Sequence, residues 1–202
     1  MSLSRRDVLR QLALAATSAA GGFNLEAAKV VHAFVAGEHA QPGGYAPRFL
    51  TAHEFATVAR LAELVVPADG GGGSGVDAGA PEFIDLLCSE NERLAEIYRE
   101  GLVWLDGAMG RRAGGTFVGV PVERQTAMLD ALVDAERAGS GGDLEAGVRF
   151  FGWVRRMTVD AYYTSPIGIR DVGYQGNRVL SAYETPRPAV EFIDRVAADL
   201  GL

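Results

Sequence analysis

From Thr51 onward the apolar residues of this 202-residue chain recur every three or four positions and almost nowhere alternate. Each run is closed by proline or by a cluster of glycines. A chain written this way can bury its apolar side chains only as helices packed on helices. Thr51, with Glu54 three residues later, has the spacing of a capping box, and Phe55, Val58, Ala62 and Val65 follow at helical intervals up to Pro67. Pro81 suits the start of a second helix. Its stripe runs through Phe83, Ile84, Leu87, Cys88, Leu94, Ile97, Tyr98, Leu102, Leu105 and Met109, with an interruption expected near residues 89–91. Glu90, Glu92, Arg93, Glu96, Arg99 and Glu100 supply its wet face.

A third helix is expected after Pro121, with Met128, Leu129, Leu132 and Val133 inward, and a fourth over residues 143–163 through Val148, Phe151, Val154, Met157 and Ala161. A last one runs from Pro188 to Leu200 through Val190, Ile193 and Val196. Residues 116–120 are the one short run that reads as a strand. The expected fold is an all-α helical bundle with Gly-rich connections and an irregular Tyr/Gly/Pro-rich segment. The glycine run at residues 70–75 lacks the lysine of a phosphate-binding loop and follows a helix rather than a strand, so it reads as a flexible connection.

The first forty residues are of another kind. Ser4-Arg5-Arg6-Asp7-Val8-Leu9-Arg10 precedes a short stretch of Leu, Ala, Ser and Gly, too interrupted for a membrane span of about 20 apolar residues. A charged start followed by a weakly apolar stretch is the grammar of an export leader, and Arg5 and Arg6, with Leu9, match the twin-arginine pattern. Arg10 stands where lysine is commoner. Residues 1–40 therefore read as leader and tail, and residues 41–202 as the helical body. Val31-His32-Ala33 offers compact residues for a cut, yet residues 23–36 also read as a helix.

Chemistry is scarce in the body. The three histidines, His32, His39 and His53, lie in the first quarter of the chain, so no Ser-His-Asp set can be assembled from the rest. A single cysteine excludes an internal disulfide and any multi-cysteine metal site. The formal charge of −7 argues against nucleic acid as a partner. Eighteen of the nineteen cationic residues are arginine, which fits a GC-rich coding bias. Carboxylates fall at wet helix positions, and Trp104 and Trp153 sit among helical apolar residues as core or interface. No catalytic, cofactor-binding or metal-binding residue is assigned.

One segment is out of the ordinary. Residues 162–177 combine Pro166, Gly168, Gly173 and Gly176 with three tyrosines, two isoleucines and a valine. Such a loop either folds back on its own bundle or is covered by another protein. Tyrosine suits the second role, since it offers a large amphipathic area at small entropic cost. Tyr162, Tyr163, Ser165, Pro166, Ile167, Tyr174 and Asn177 are the candidate partner interface. Cys88 lies on an apolar stripe, where it is either buried or bridged to a partner chain by a disulfide.

With the Ser4–Arg10 leader, the Leu50-Thr51…Glu54…Leu64-Val65-Val66-Pro67 helix and the Tyr162-Tyr163-Thr164-Ser165-Pro166…Gly173-Tyr174-Gln175-Gly176-Asn177 segment in the same order, the chain resembles the gluconate 2-dehydrogenase small-subunit family. That resemblance implies a helical, non-catalytic subunit bound to a larger FAD-containing oxidoreductase of the glucose–methanol–choline (GMC) type. It further implies that the small chain carries this partner through twin-arginine export and keeps it soluble. FAD would reside in the partner, electrons would pass to a cytochrome c or another acceptor, and the complex would be periplasmic, with or without membrane association. Among gluconate, glucose and glucoside 3-dehydrogenase types, the loop pattern leans to the last. The competing readings are an enzyme acting alone, which the histidine count disfavours, and a stand-alone exported helical binding protein or homo-oligomer.

Overall fold

The computed structural model describes residues 25–69, 72–139, 142–174 and 185–201. Among them are eight α-helices, two short 3₁₀ turns and no strand. The helices are α1 (Leu25–His39), α2 (Ala52–Val65), α3 (Ala80–Glu90), α4 (Glu92–Ala113), α5 (Val122–Ala138), α6 (Glu145–Thr164), α7 (Pro166–Asp171) and α8 (Arg187–Asp199). The expected strand is a 3₁₀ turn, Phe117–Gly119, because Phe117 is drawn wholly into the core and its N–H is held by Asp106 Oδ1 at 2.8 Å.

Local chemistry sets the helix ends. The capping box forms as spaced: Thr51 Oγ1 accepts from Glu54 N–H, and Thr51 N–H donates to Glu54 Oε2 at 2.8 Å. The interruption falls at Asn91, whose extended backbone ends α3 and whose Oδ1 accepts Leu94 N–H at 3.0 Å to start α4. Gly114 and Gly139, both at positive φ, close α4 and α5.

Two helices form the centre. Every residue of α3 from Ala80 to Cys88 is buried, as befits a helix surrounded on all sides. The second, α6, packs against α1, α2, α3, α4, α5 and α7. Its meeting with α4 rests on two glycines. A Cβ on Gly101 of α4 would overlap the Phe150 ring of α6, and a Cβ on Gly147 of α6 would overlap the Trp104 ring of α4. Each helix thus cuts a notch for the other's ring.

Buried Asp85 of α3 organises the entry to the bundle. Its two oxygens accept from Tyr45 Oη–H and Arg48 N–H, both at 2.7 Å, and from Phe49 N–H at 3.0 Å and Leu50 N–H at 2.8 Å. A carboxylate without solvent is tolerated when its lone pairs are filled in this way. Burial, then the hydrogen bond to Asp85 and its charge, drives the Tyr45 hydroxyl well above its ordinary range.

Residues 25–39, grouped with the leader on sequence, pack into the body. Ala28, Val31, His32 and Val35 face inward, with His32 stacked on Phe83 at 5.2 Å between ring centroids. Most of the glycine-rich connection is likewise fixed rather than loose. Ser74 N–H and Oγ–H both donate to Asp77 Oδ2 at 2.8 Å, and Gly75 N–H donates to Val66 O at 2.8 Å. These Ser74 bonds hold the Asp77 carboxyl below its ordinary range. Gly75 needs to be glycine, since its Cβ would stand 2.7 Å from Ala62 O. In contrast, α8 has no buried residue.

Candidate partner-binding surface

Most of the segment expected to be irregular is helical. Tyr162 and Tyr163 lie in the last turn of α6, Ser165 turns the chain, and Pro166 opens α7. Proline ends the first helix because it lacks an N–H and forces its predecessor into extended geometry, which Ser165 adopts at φ −78° and ψ 159°. Ser165 Oγ–H donates to Tyr162 O at 2.7 Å, and its oxygen accepts Gly168 N–H at 3.1 Å. A Cβ on Gly168 would overlap Tyr162 O, so the tight fold-back of α7 onto the end of α6 requires glycine there.

This geometry divides the predicted interface. Tyr162 (3% exposed) and Ser165 (1% exposed) point into the protein, which corrects their assignment as partner contacts in this arrangement. Tyr162 lies edge-on to Tyr163 at 5.1 Å, and its hydroxyl donates to Asp171 Oδ2 at 3.3 Å. Burial, then the Asp171 charge, raises the Tyr162 phenol above its ordinary range, so it serves as a neutral strut. Tyr163 (48%), Tyr174 (47%) and Pro166 are exposed, and Ile167 is half-buried. Val159, one helical turn before Tyr163, and Val172 (56%) are exposed too. Val172 is the valine already counted in that segment, whereas sequence reasoning missed Val159, though its four-residue spacing to Tyr163 was a usable signal. Asn177 and the export residues Arg5, Arg6 and Leu9 lie outside the described residues.

Two other segments pack against this platform. The glycine-rich connection lies against it: a Cβ on Gly72 would come within 2.6 Å of Tyr162 Oη, and one on Gly73 within 3.3 Å of an Ile167 methyl. From α1, His32 Nε2 lies 3.0 Å from Thr164 Oγ1, whose hydroxyl also reaches Asp160 O at 2.7 Å. Exposed apolar and aromatic side chains are thus found at the end of α6, on α7 and just after it, with exposed Arg170 and Asp171 among them.

Cys88 is buried on α3, and burial pushes its thiol up, with Asp85 adding to the shift. The structure thus places it in the buried alternative, and a disulfide to another chain would require α3 to open. Trp104 and Trp153 are half-buried and line a groove of about 380 Å³ between α4 and α6, with Ile97 and Phe150 beside them. His53 Nε2 meets Asp106 Oδ2 at 2.6 Å, a pair that ties α2 to α4. Among the described residues no group of three His, Cys, Asp or Glu side chains is placed to hold a metal ion, and no helix is long and apolar enough to cross a membrane.

No curated protein and no solved structure matches the chain. The family model described as gluconate 2-dehydrogenase subunit 3 matches residues 52–180, a span that holds α2 through α7 and the whole Tyr163–Tyr174 surface. The chain therefore belongs to the gluconate 2-dehydrogenase subunit 3 family.

Proposed function

We propose that the chain is the non-catalytic small subunit of a heteromeric, FAD-dependent sugar or glycoside dehydrogenase. Its partner is a GMC-type flavoprotein that oxidises a sugar hydroxyl and passes electrons to a cytochrome c or similar acceptor. The chain stabilises that flavoprotein and carries it through twin-arginine export on the Arg5-Arg6 leader, into the periplasm. One observation carries the reading: membership of a family named as a subunit, over a match that contains the exposed Val159, Tyr163, Val172 and Tyr174 side chains. Hydride transfer to flavin belongs to the partner, which holds the FAD.

Co-purification tests it. Tagged chain recovered from its native host should elute with a yellow protein of roughly three times its mass, and a colourless monomer would end the proposal. Replacing Arg5 and Arg6 by Lys should leave the complex assembled but hold dehydrogenase activity in the cytoplasm. Unchanged periplasmic activity would remove the carrier role. The bare apolar face of α8 favours a second reading, self-association into a homo-oligomer, which the mass of the isolated chain would reveal.

A further inference from the structure

We infer that helix α1 is a permanent part of the folded body, so that any removal of the leader stops short of Leu25. The inward face of α1 is not incidental packing. Ala28, Val31, His32 and Val35 follow the i, i+3, i+4, i+7 spacing of a core-facing stripe, and Ala28 and Val31 are wholly buried. Its polar side chains also have partners in the body. His32 stacks on Phe83 and is hydrogen-bonded to Thr164, and His39 Nε2 lies 3.0 Å from Glu82 Oε1. Glu38 accepts from Arg48 at 3.4 Å, and the same guanidinium lies 4.7 Å from the centre of the Phe34 ring. A leader meant to be discarded has no use for five such contacts across 43 to 132 residues of sequence or to the loop that Asp85 holds.

A leader peptidase requires extended, accessible chain with small side chains at the first and third positions before the cut. At the compact site Val31-His32-Ala33 the backbone is mid-helix, and the Val31 side chain has no exposure. Cutting there would first require α1 to leave α3 and α6, baring Phe83 and the apolar stripe. It would also free the end of α6 at Thr164, one residue from Tyr163. The sequence supplies small residues further upstream, in Ser18, Ala20 and Gly22, where a cut would leave α1 whole. The processing half of this inference rests on the export reading, and the integrity half does not.

The test has two arms. The first is N-terminal sequencing and intact mass of the chain recovered outside the cytoplasmic membrane of a host making the whole complex. A first residue at or before Leu25 is expected, and one at Phe34 or elsewhere within 26–39 overturns the inference. The second arm is independent of export: chains beginning at Leu25 and at Phe34 are made without a leader. The first should melt within about 2 °C of the full chain, and the second about 10 °C lower or not fold. Hydrogen exchange on the full chain adds a reading that survives misfolding, with α1 amides protected as strongly as those of α6. Equal melting of both truncations, or freely exchanging α1 amides, overturns the inference. If no chain crosses the membrane, the export reading fails and the second arm still decides this one.

Discussion

His32 illustrates how one side chain can make folding sensitive to acidity without doing any chemistry. Burial, only partly offset by a hydrogen bond to Ala161 O, lowers its pKa from the ordinary 6.5 to about 4. The unfolded chain therefore takes up this proton near pH 6.5 and the folded chain only near pH 4. Stability contributed by the neutral ring is whole above pH 6.5 and is lost as pH falls through that window, by up to about 3 kcal/mol. Thermal melting from pH 7 to pH 4 should fall more steeply in the wild type than in His32→Gln, and parallel curves would show that the ring does not titrate in this way. Nothing in the sequence announced this role. A histidine among alanines and valines on a leader-like stretch carries no sign of the Phe83 ring or the Thr164 hydroxyl that meet it. Asp85 was equally silent, because its four donors come from a loop some 35 to 40 residues earlier.

Helices were the legible level, because their signals are local. Thr51 and Glu54 cap within one turn, Asn91 breaks and restarts a helix within four residues, and Pro166 ends one by what it lacks. What could not be read was pairing between helices. Twenty-six glycines look alike in the sequence, yet Gly101 and Gly147 sit under rings while Gly152, on the same helix as Gly147, has nothing within 4 Å of its would-be Cβ. This contrast gives a prediction. Gly152→Ala should raise stability by about 0.5–1 kcal/mol through helix propensity. Gly101→Ala and Gly147→Ala should each lower it by roughly 1–3 kcal/mol through overpacking, and Phe150→Leu should restore part of the loss in Gly101→Ala. Denaturant unfolding of the variants would settle the order, and three equal effects would refute the notch geometry. The glycine-rich connection was misread for a similar reason: Ser74, Gly75 and Asp77 are fixed by Val66, Ala62 and one another, contacts that composition does not reveal.

At the scale of the whole molecule, the all-α body and the family were readable, while the boundary of the body and the inward turn of Tyr162 were not. Docking of α1 depends on α3 and α6, whose faces are assembled only in three dimensions. The surface that remains outward makes the partner reading measurable. Tyr174→Ala should weaken the complex by more than about 1 kcal/mol if the tyrosine is a hot spot, whereas Glu96→Ala on the wet face of α4 should have little effect. Equal losses by titration calorimetry would deny the surface its role. The reciprocal notches of α4 and α6 bear on this surface as well. Sliding either helix past the other by one residue would drive a ring into a neighbour that carries a Cβ, so the pair has a single register and resists shear. The helix that carries Tyr163 is accordingly keyed to α4 at two points, and its placement in the bundle follows from that of its neighbour.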